Sequence, residues 1–315
     1  MIDTCHLWLR DLSSFTSINL QTYLEQFLDE PKWVQIDNTV ILYGNLSTLK
    51  VKVSPTSISI QGSLSRYFLD TNVKTLTPVQ TQLAFEKLAD EMHLDISQFT
   101  ATRIDIAENM EMNHNPSYYF KHLGICGKLA RLEQPNGLFY KGTQKELLIY
   151  DKDAQMKASK STRISENPKY NNLLRIEVRF KRNLEKQLKL DEVKVHKLLC
   201  RKIYHKLVDA WSENYYSIHK YRIVKPTQPS VSTLQGFKAM LMSRGIKELG
   251  GEATVESLIT QGVQLGYIPN SSVKKRLKDQ LKALSQTDSY TEISTAVNEL
   301  DLKVKETSEL LKTSI

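Results

Sequence analysis

The stretch NLLRIEVRF at residues 172–180 alternates charged and apolar side chains through its second half. Successive side chains of a β-strand point to opposite faces of the sheet. Arg175, Glu177 and Arg179 would therefore share one face, and the apolar residues between them would share the other. The pattern predicts a strand that lines the core on one face and carries a row of charges on the other.

Two earlier stretches follow the same rule. ATRIDIA (101–107) would place Arg103 and Asp105 on one face, and KELLIYDK, further along the chain, would place Tyr150 and Lys152 together. If the three strands pair in one antiparallel sheet, their apolar sides form the core. Their other sides then gather two carboxylates, one tyrosine and several cations.

The sequence as a whole predicts an α+β fold, a mostly antiparallel sheet with helices on one face, followed by a small all-helical C-terminal domain. Helical spacing of apolar residues predicts helical segments at about 78–92, 182–211, 231–247, 252–265 and 271–284. Two prolines in KPTQPS (225–230) indicate a linker. We therefore expect a first domain of residues 1–225 and a second of residues 231–315.

The positive charge of the chain is concentrated in its middle third. The net charge is +8, and residues 120–230 alone carry 24 Lys and Arg against 11 Asp and Glu. A localised basic surface favours nucleic acid as the partner. A lysine-rich face that is merely solvated explains the charge equally well.

The composition excludes several classes of protein. Hydrophobic residues make up 40% of the chain and charged residues 25%, which is typical of a protein with a folded core. No apolar stretch approaches the roughly 18 residues that cross a bilayer, and the opening residues lack the apolar run of a signal peptide. The three cysteines form no CxxC pair. We expect a soluble protein of a reducing cytoplasm, with no membrane contact.

Asp105 and Glu177 come from two different predicted strands, and such an oxygen-rich pair suits Mg²⁺ or Mn²⁺. The alternative is that each carboxylate pairs with an arginine of its own strand. Tyr150 favours chemistry, because a tyrosine near a divalent ion and cations can become a nucleophile toward phosphate. Its phenol, with an ordinary pKa near 10, would need the metal, a base or Lys152 to react at neutral pH.

Five segments occur in an order that resembles the replication initiators of filamentous phages, the gene II family, and the related rolling-circle initiators of small plasmids. They are MIDTCHLWL (1–9), VKVSPTSISIQGSL (51–64), TRIDIA (102–107), LLIYDK (147–152) and LLRIEVRFK (173–181). The resemblance covers about residues 1–185. It implies a site-specific DNA nickase distantly related to the His-hydrophobe-His (HUH) endonucleases.

In that family the tyrosine attacks one strand at the double-strand origin, becomes linked to the 5′ phosphate and frees a 3′ hydroxyl for host polymerase. The same protein later closes the displaced strand into a circle. The resemblance implies that the partners are origin DNA, both duplex and displaced single strand, with host helicase and polymerase, in the cytoplasm of a bacterial host. Homo-oligomerisation is left open.

The resemblance also assigns roles to individual residues. Tyr150 matches the nucleophile and Lys152 its neighbouring cation. Asp105 and Glu177 match the acidic positions expected to hold Mg²⁺ or Mn²⁺. This sequence departs from the family in lacking a clear His-x-His box, and His114 is the predicted further metal ligand.

Glu108 is an alternative to His114 as the further ligand. The predicted DNA-binding residues are the cations next to the acidic positions and at the end of the third strand, namely Arg103, Arg175, Arg179 and Lys181. The helices at 252–265 and 271–284 would form a helix-turn-helix-like reader of the origin, or a cap that supports folding or dimerisation.

Two other functions stay open at this point. A DNA-binding regulator or accessory factor would keep the fold and bind DNA without cleaving it. A plasmid initiator or mobilisation relaxase would apply the same chemistry to a different replicon.

Overall fold

The computed structural model describes residues 1–10, 12, 19–158, 172–224, 232–285 and 291–313. The chain forms two compact units, Met1–His219 with Glu299–Ile315, and Lys220–Asn298. The predicted linker at 225–230 lies outside the described residues. The sequence pattern groups residues 231–315 in one domain, whereas the structure assigns the end of the chain to the first unit.

The first unit is built around one ten-stranded antiparallel sheet. The strands of the chain are β1 (Ile2–Leu9), β2 (Asp29–Ile36), β3 (Thr39–Leu46), β4 (Leu49–Ser54), β5 (Ser57–Ser63), β6 (Thr100–Glu111), β7 (Leu123–Cys126), β8 (Ala130–Gln134), β9 (Gly137–Lys141), β10 (Lys145–Asp151), β11 (Leu173–Phe180), β12 (Ile218–Lys220), β13 (Arg222–Val224) and β14 (Thr291–Ile293). The large sheet has the order β2-β3-β4-β5-β1-β6-β11-β10-β9-β8. Two small sheets pair β7 with β12 and β13 with β14.

The helices of the chain are α1 (Leu20–Glu25), α2 (Leu64–Leu69), α3 (Pro78–Met92), α4 (Ser117–Phe120), α5 (Lys152–Ala158), α6 (Leu184–Leu188), α7 (Val195–Leu198), α8 (Arg201–Tyr216), α9 (Leu234–Glu248), α10 (Glu252–Gln264), α11 (Ser271–Ser285) and α12 (Thr295–Thr313). The α+β prediction is confirmed. Within the described residues, no helix combines the length and the apolar character that crossing a membrane requires.

The three strands predicted to carry the chemistry are β6, β10 and β11, and they are neighbours in the sheet. Tyr150 lies opposite Arg175, and Asp105 lies opposite Arg179. The charged faces of the three strands are therefore the same face of the sheet. Their apolar faces form the core, as the alternation predicts.

Helix α8 packs against the apolar face of these central strands. Its Trp211 is fully buried, and the indole N–H donates a hydrogen bond to the carbonyl of Ile176 at 3.1 Å. Ile176 and Leu147 are also fully buried. Because a buried aromatic side chain removes a large apolar area from water, this contact contributes strongly to the stability of the sheet centre.

The basic segment after β11 is predicted to be helical, and it is divided into three helices, α6, α7 and α8. Lys189 adopts a left-handed conformation with φ +53° and ends α6. The carbonyl of Val193 then accepts from the N–H of Ala101 at 2.8 Å, and the N–H of Val195 donates to Phe99 at 3.0 Å. These bonds to the start of β6 occupy backbone groups that a continuous helix would use.

The second unit contains α9, α10, α11 and the β13–β14 pair, so the three helices predicted there are present. Gly266, with φ +75°, follows the end of α10. The side chain of Asn270 accepts from the N–H of Val273 at 3.0 Å and starts α11. The connection has the signals of a helix C-terminus and of an N-cap. The proposed reading of DNA by these helices stays a prediction.

Candidate active site

Tyr150 occupies the most enclosed end of the charged face. Its hydroxyl donates a hydrogen bond to Glu177 Oε2 at 3.0 Å, and the residue is 8% exposed. Burial raises the pKa of the Tyr150 phenol above its ordinary value. Arg175 opposes this rise, and Glu177 adds to it. At neutral pH the phenol is therefore a protonated hydrogen-bond donor.

Gly137 lies opposite Tyr150 on β9. A Cβ atom at position 137 would come within 2.7 Å of the Tyr150 Cβ, closer than real side chains approach. The absence of a side chain on Gly137 therefore leaves the space that the Tyr150 ring needs. Nothing in the alternation of the sequence signals this requirement.

Glu177 is the acceptor for Tyr150 and is held by two arginines. Its Oε1 accepts from Arg179 Nε at 2.6 Å, and its Oε2 accepts from Arg175 Nε at 3.3 Å. Burial alone would raise the pKa of Glu177, but the two guanidinium groups outweigh it and hold the pKa at about 2. Glu177 is therefore ionised at neutral pH.

Arg175 is fully buried and joins two carboxylates from different strands. Its Nη2 lies 2.9 Å from Asp3 Oδ2, while its Nε contacts Glu177. Asp3 also accepts a hydrogen bond from the Ser63 hydroxyl at 3.4 Å. Because Arg175 is 1% exposed, solvent screens these ion pairs little.

Asp3 and His6 are site residues that the sequence pattern does not predict. Simple alternation would place Asp3 on the apolar face of β1. The pairing of β1 with β6 shifts register between Ile2 and Thr4, and such a bulge re-aims the extra residue. His6 lies opposite Arg103, and burial, aided by Arg103, lowers the pKa of His6 to about 4.

Asp105 forms the more open end of the site. Both of its carboxylate oxygens accept from Arg103, at 2.8 and 2.6 Å, and Arg179 Nε approaches within 3.8 Å. Burial raises the pKa of Asp105 to about 6, against the opposing effect of Arg103. The side chains of Arg103 and Arg179 are 26% and 30% exposed. These two cations are therefore accessible to an anion in solution.

Lys181 follows the end of β11 and pairs with Glu146 at 2.7 Å. Arg179 also approaches Glu146, at 3.7 Å. Lys181 therefore lies at the rim of the same charged face, next to Arg179.

Lys152 lies at the start of α5 and not on the strand with Tyr150, so the strand assignment of this residue is wrong. The strand β10 ends at Asp151, whose side chain accepts from the N–H of Ala154 at 2.8 Å and caps the helix. Lys152 is 1% exposed, and its Nζ donates to Gln155 Oε1 at 2.7 Å. Burial lowers the pKa of Lys152 to about 7, and Arg175 adds to the decrease.

Replacing Lys152 with methionine is expected to flatten the pH dependence of stability between pH 7 and pH 9.5. The unfolded chain keeps this lysine protonated up to about pH 10.4, whereas the folded chain releases the proton near pH 7. The unfolded state therefore binds more protons in this window, and stability rises with pH by at most about 3 kcal/mol. Urea unfolding at the two pH values measures the rise.

The exposed Lys157 on the same helix provides the control, because Lys157→Met removes a lysine without removing a buried one. The Lys157→Met protein should keep the pH dependence of the unaltered protein. An unchanged pH dependence in Lys152→Met would show that Lys152 is charged or solvated in the folded state.

The predicted metal ligands do not assemble. The described residues contain no group of three or more His, Cys, Asp or Glu side chains able to hold a metal ion. Both Asp105 and Glu177 have their oxygens engaged by arginines, which is the alternative pairing that the sequence leaves open. In this arrangement the two carboxylates do not fit a divalent cation.

The two candidates for a further ligand lie elsewhere. His114 follows the end of β6 and packs against the rings of Tyr118 and Tyr119, with ring centroids 4.9 and 6.4 Å away. Glu108 lies on the opposite face of β6 by alternation and accepts from the Thr75 hydroxyl at 2.7 Å. The requirement for Mg²⁺ or Mn²⁺ stays a prediction.

Comparison with protein families gives a match over most of the chain. The family model Phage_CRI, which describes the N-terminal part of a replication-associated phage protein, matches residues 1–212. The match spans more than half of the chain and includes all the strands that form the site. No curated protein matches the chain.

Proposed function

Because this chain belongs to the Phage_CRI family of replication-associated proteins, we propose that it starts rolling-circle replication by nicking one DNA strand at an origin. The observation that carries the proposal is the hydrogen bond from the Tyr150 hydroxyl to the ionised Glu177, beside the exposed Arg103 and Arg179. This arrangement places a nucleophile, a proton acceptor and phosphate-binding cations on one sheet face.

In the proposed reaction the Tyr150 oxygen attacks a backbone phosphorus, and its proton passes to Glu177 Oε2. The bond from phosphorus to the 3′ oxygen breaks, which leaves a 5′ phosphotyrosine and a 3′ hydroxyl. Joining the strand reverses these steps when a new 3′ hydroxyl attacks the phosphotyrosine. The enzyme would therefore be a DNA nickase and strand transferase that conserves the phosphodiester bond energy.

Binding of a phosphate would itself activate the tyrosine. With a pKa of about 2, Glu177 is a weak base while both arginines contact it. A phosphate that takes over Arg179 would withdraw one of these positive charges and raise the pKa of Glu177. The acceptor for the Tyr150 proton would then strengthen when the substrate is in place.

Arg103 and Arg179 are the proposed phosphate-binding groups. Each is part exposed, and charge-assisted hydrogen bonds from guanidinium groups to phosphate oxygens are short and strong. As charge builds on the phosphate during attack, the same groups would stabilise it. Origin DNA, first as duplex and then as a displaced single strand, is the proposed partner, and host helicase and polymerase would extend the 3′ hydroxyl.

The test mixes the full chain with supercoiled DNA of its own replicon, with and without Mg²⁺ or Mn²⁺. Relaxed circles and a covalent 5′ adduct mapped to Tyr150 by mass spectrometry are the expected result. An adduct on another residue would overturn the assignment of Tyr150, and omission of the metal tests the predicted requirement for it.

A second function, a DNA-binding factor without nuclease activity, is favoured by the burial of Tyr150. Its hydroxyl already has a partner, and burial raises the phenol pKa. That function predicts salt-sensitive binding to the same DNA with no relaxed circles and no adduct.

A further inference from the structure

The polar face of the sheet continues past the Tyr150 site onto the N-terminal strands. We call its basic part the basic track and define it by Trp8, Lys32, Tyr43, Lys50 and Lys52. Sheet register places these side chains on the same face as Arg103, since His6 links the track to it. The track and the proposed active site are therefore parts of one surface.

The register aligns the track in two rows across the strands. In one row Lys32, Tyr43 and Lys52 lie side by side on β2, β3 and β4, and Trp8 follows two strands further on. In the second row Lys50 leads through β5 and β1 to Arg103. Four strand spacings separate β3 from β6, a distance of about 19 Å.

The charge of this surface is unbalanced. Lys32, Lys50 and Lys52 are exposed, and none of them forms an ion pair with another described residue. They line a shallow depression of about 480 Å³, and Glu30 is the acidic side chain among the described residues that line it. Three uncompensated lysines on adjacent strands make a surface complementary to a polyanion.

Aromatic rings accompany these cations. The guanidinium carbon of Arg10 lies 4.2 Å from the centre of the Trp8 ring system, and Lys52 Nζ lies 5.7 Å from the Tyr43 ring centre. Trp8 is 36% exposed although it lies on a strand at the centre of the sheet. Exposed rings among cations are the features on which unpaired bases stack while the backbone contacts the charges.

We propose that the basic track binds single-stranded DNA that adjoins the phosphate at the Tyr150 site. The proposal rests on the proposed function, because it takes Arg103 as the point where the strand enters the active site. Bases in a duplex stack on one another, so their faces are closed to Trp8 and Tyr43. The aromatic part of the track therefore selects a single strand, and its lysines hold the backbone.

The test measures binding of fluorescent oligodeoxythymidine of about 16 nucleotides, within the range of known single-strand sites, by anisotropy over several salt concentrations. All proteins carry Tyr150→Phe, so that cleavage plays no part and the outcome is independent of the nicking proposal. Lys50→Glu with Lys52→Glu should weaken binding about tenfold or more at low salt. It should also reduce the salt slope by about 1.4 through the loss of two phosphate contacts.

The matched control reverses two lysines on the helical side of the first unit, Lys202→Glu with Lys305→Glu, which makes the same change in net charge. This protein should bind within about twofold of the parent. Equal weakening by both pairs would overturn the track, since it would show only a general effect of charge. Unchanged binding after the Lys50 and Lys52 reversals would overturn it directly.

Trp8→Ala tests the stacking part of the proposal, with an expected loss of about 5- to 150-fold. Trp8→Phe keeps a ring and should restore most of the binding. A duplex of the same length should be insensitive to Trp8→Ala, and equal losses for single strand and duplex would contradict selection of a single strand. If the lysine reversals alter thermal melting, Lys50→Gln with Lys52→Gln replaces them.

Discussion

Tyr150→Phe is expected to reduce nicking of supercoiled origin DNA by at least about 1,000-fold and to remove the covalent 5′ adduct, because no nucleophilic oxygen remains. DNA binding should stay within about twofold, since the exposed Arg103 and Arg179 are unchanged. The fold should lose only about 1 kcal/mol, the usual contribution of one hydrogen bond. Relaxed circles on a gel and mass spectrometry of the protein measure the chemistry, and filter binding measures the affinity.

Tyr140→Phe is the matched control for this experiment. Tyr140 lies on the neighbouring strand β9, on the opposite face of the sheet, and its buried hydroxyl donates to the carbonyl of Gly124 at 2.9 Å. Loss of this hydroxyl should leave nicking unchanged. If the Tyr150→Phe protein nicked normally, the nucleophile would be another residue. If the unaltered protein bound DNA without nicking it, the non-catalytic function would be favoured.

The central part of the fold and of the site could be predicted because a strand has a period of two. Alternation alone put Arg103 with Asp105, and Arg175 with Glu177, on polar faces, and the structure joins those faces in β6 and β11. Which of the two proposed roles the carboxylates have, metal ligands or partners of arginine, could not be predicted. That choice depends on distances of a few ångströms between strands.

Other features depend on local departures from regular structure. A β-bulge turns Asp3 toward Arg175, and no alternation rule signals where a bulge occurs. The position of Lys152 was lost for a different reason, since Asp151 has the residue type of an N-cap but was counted as part of the strand. Gly137 depends on a cross-strand neighbour, which is known only once the register is known.

Arg175→Met is expected to lower the free energy of unfolding of the first unit by about 3–5 kcal/mol. Arg175 is the buried partner of both Asp3 and Glu177, and methionine fills the space without carrying the charge. The uncompensated carboxylates then keep their desolvation cost without an ion pair. Urea unfolding followed by tryptophan fluorescence measures the loss, because all three tryptophans lie in the first unit.

Arg179→Met separates the effect of burial from the effect of losing an ion pair with Glu177. Arg179 makes the shorter contact with that carboxylate but is 30% exposed, and Glu177 and Asp105 each keep another arginine without it. We expect a loss of about 1 kcal/mol. Equal losses for the two variants would show that solvent screens Arg175 as well, contrary to its burial.

The pH dependence of the Arg175→Met protein adds an independent check. The pKa of Glu177 is about 2 in the folded protein and about 4.3 in the unfolded chain, so its stabilisation is complete above pH 4.3 and is lost as the pH falls toward 2. Without Arg175 the folded pKa rises toward the unfolded value, and less stabilisation remains to be lost. The difference between the two proteins should therefore be largest near neutral pH and shrink below pH 4.3. A constant difference at all pH values would mean that Arg175 stabilises the sheet by packing, and not by its charge.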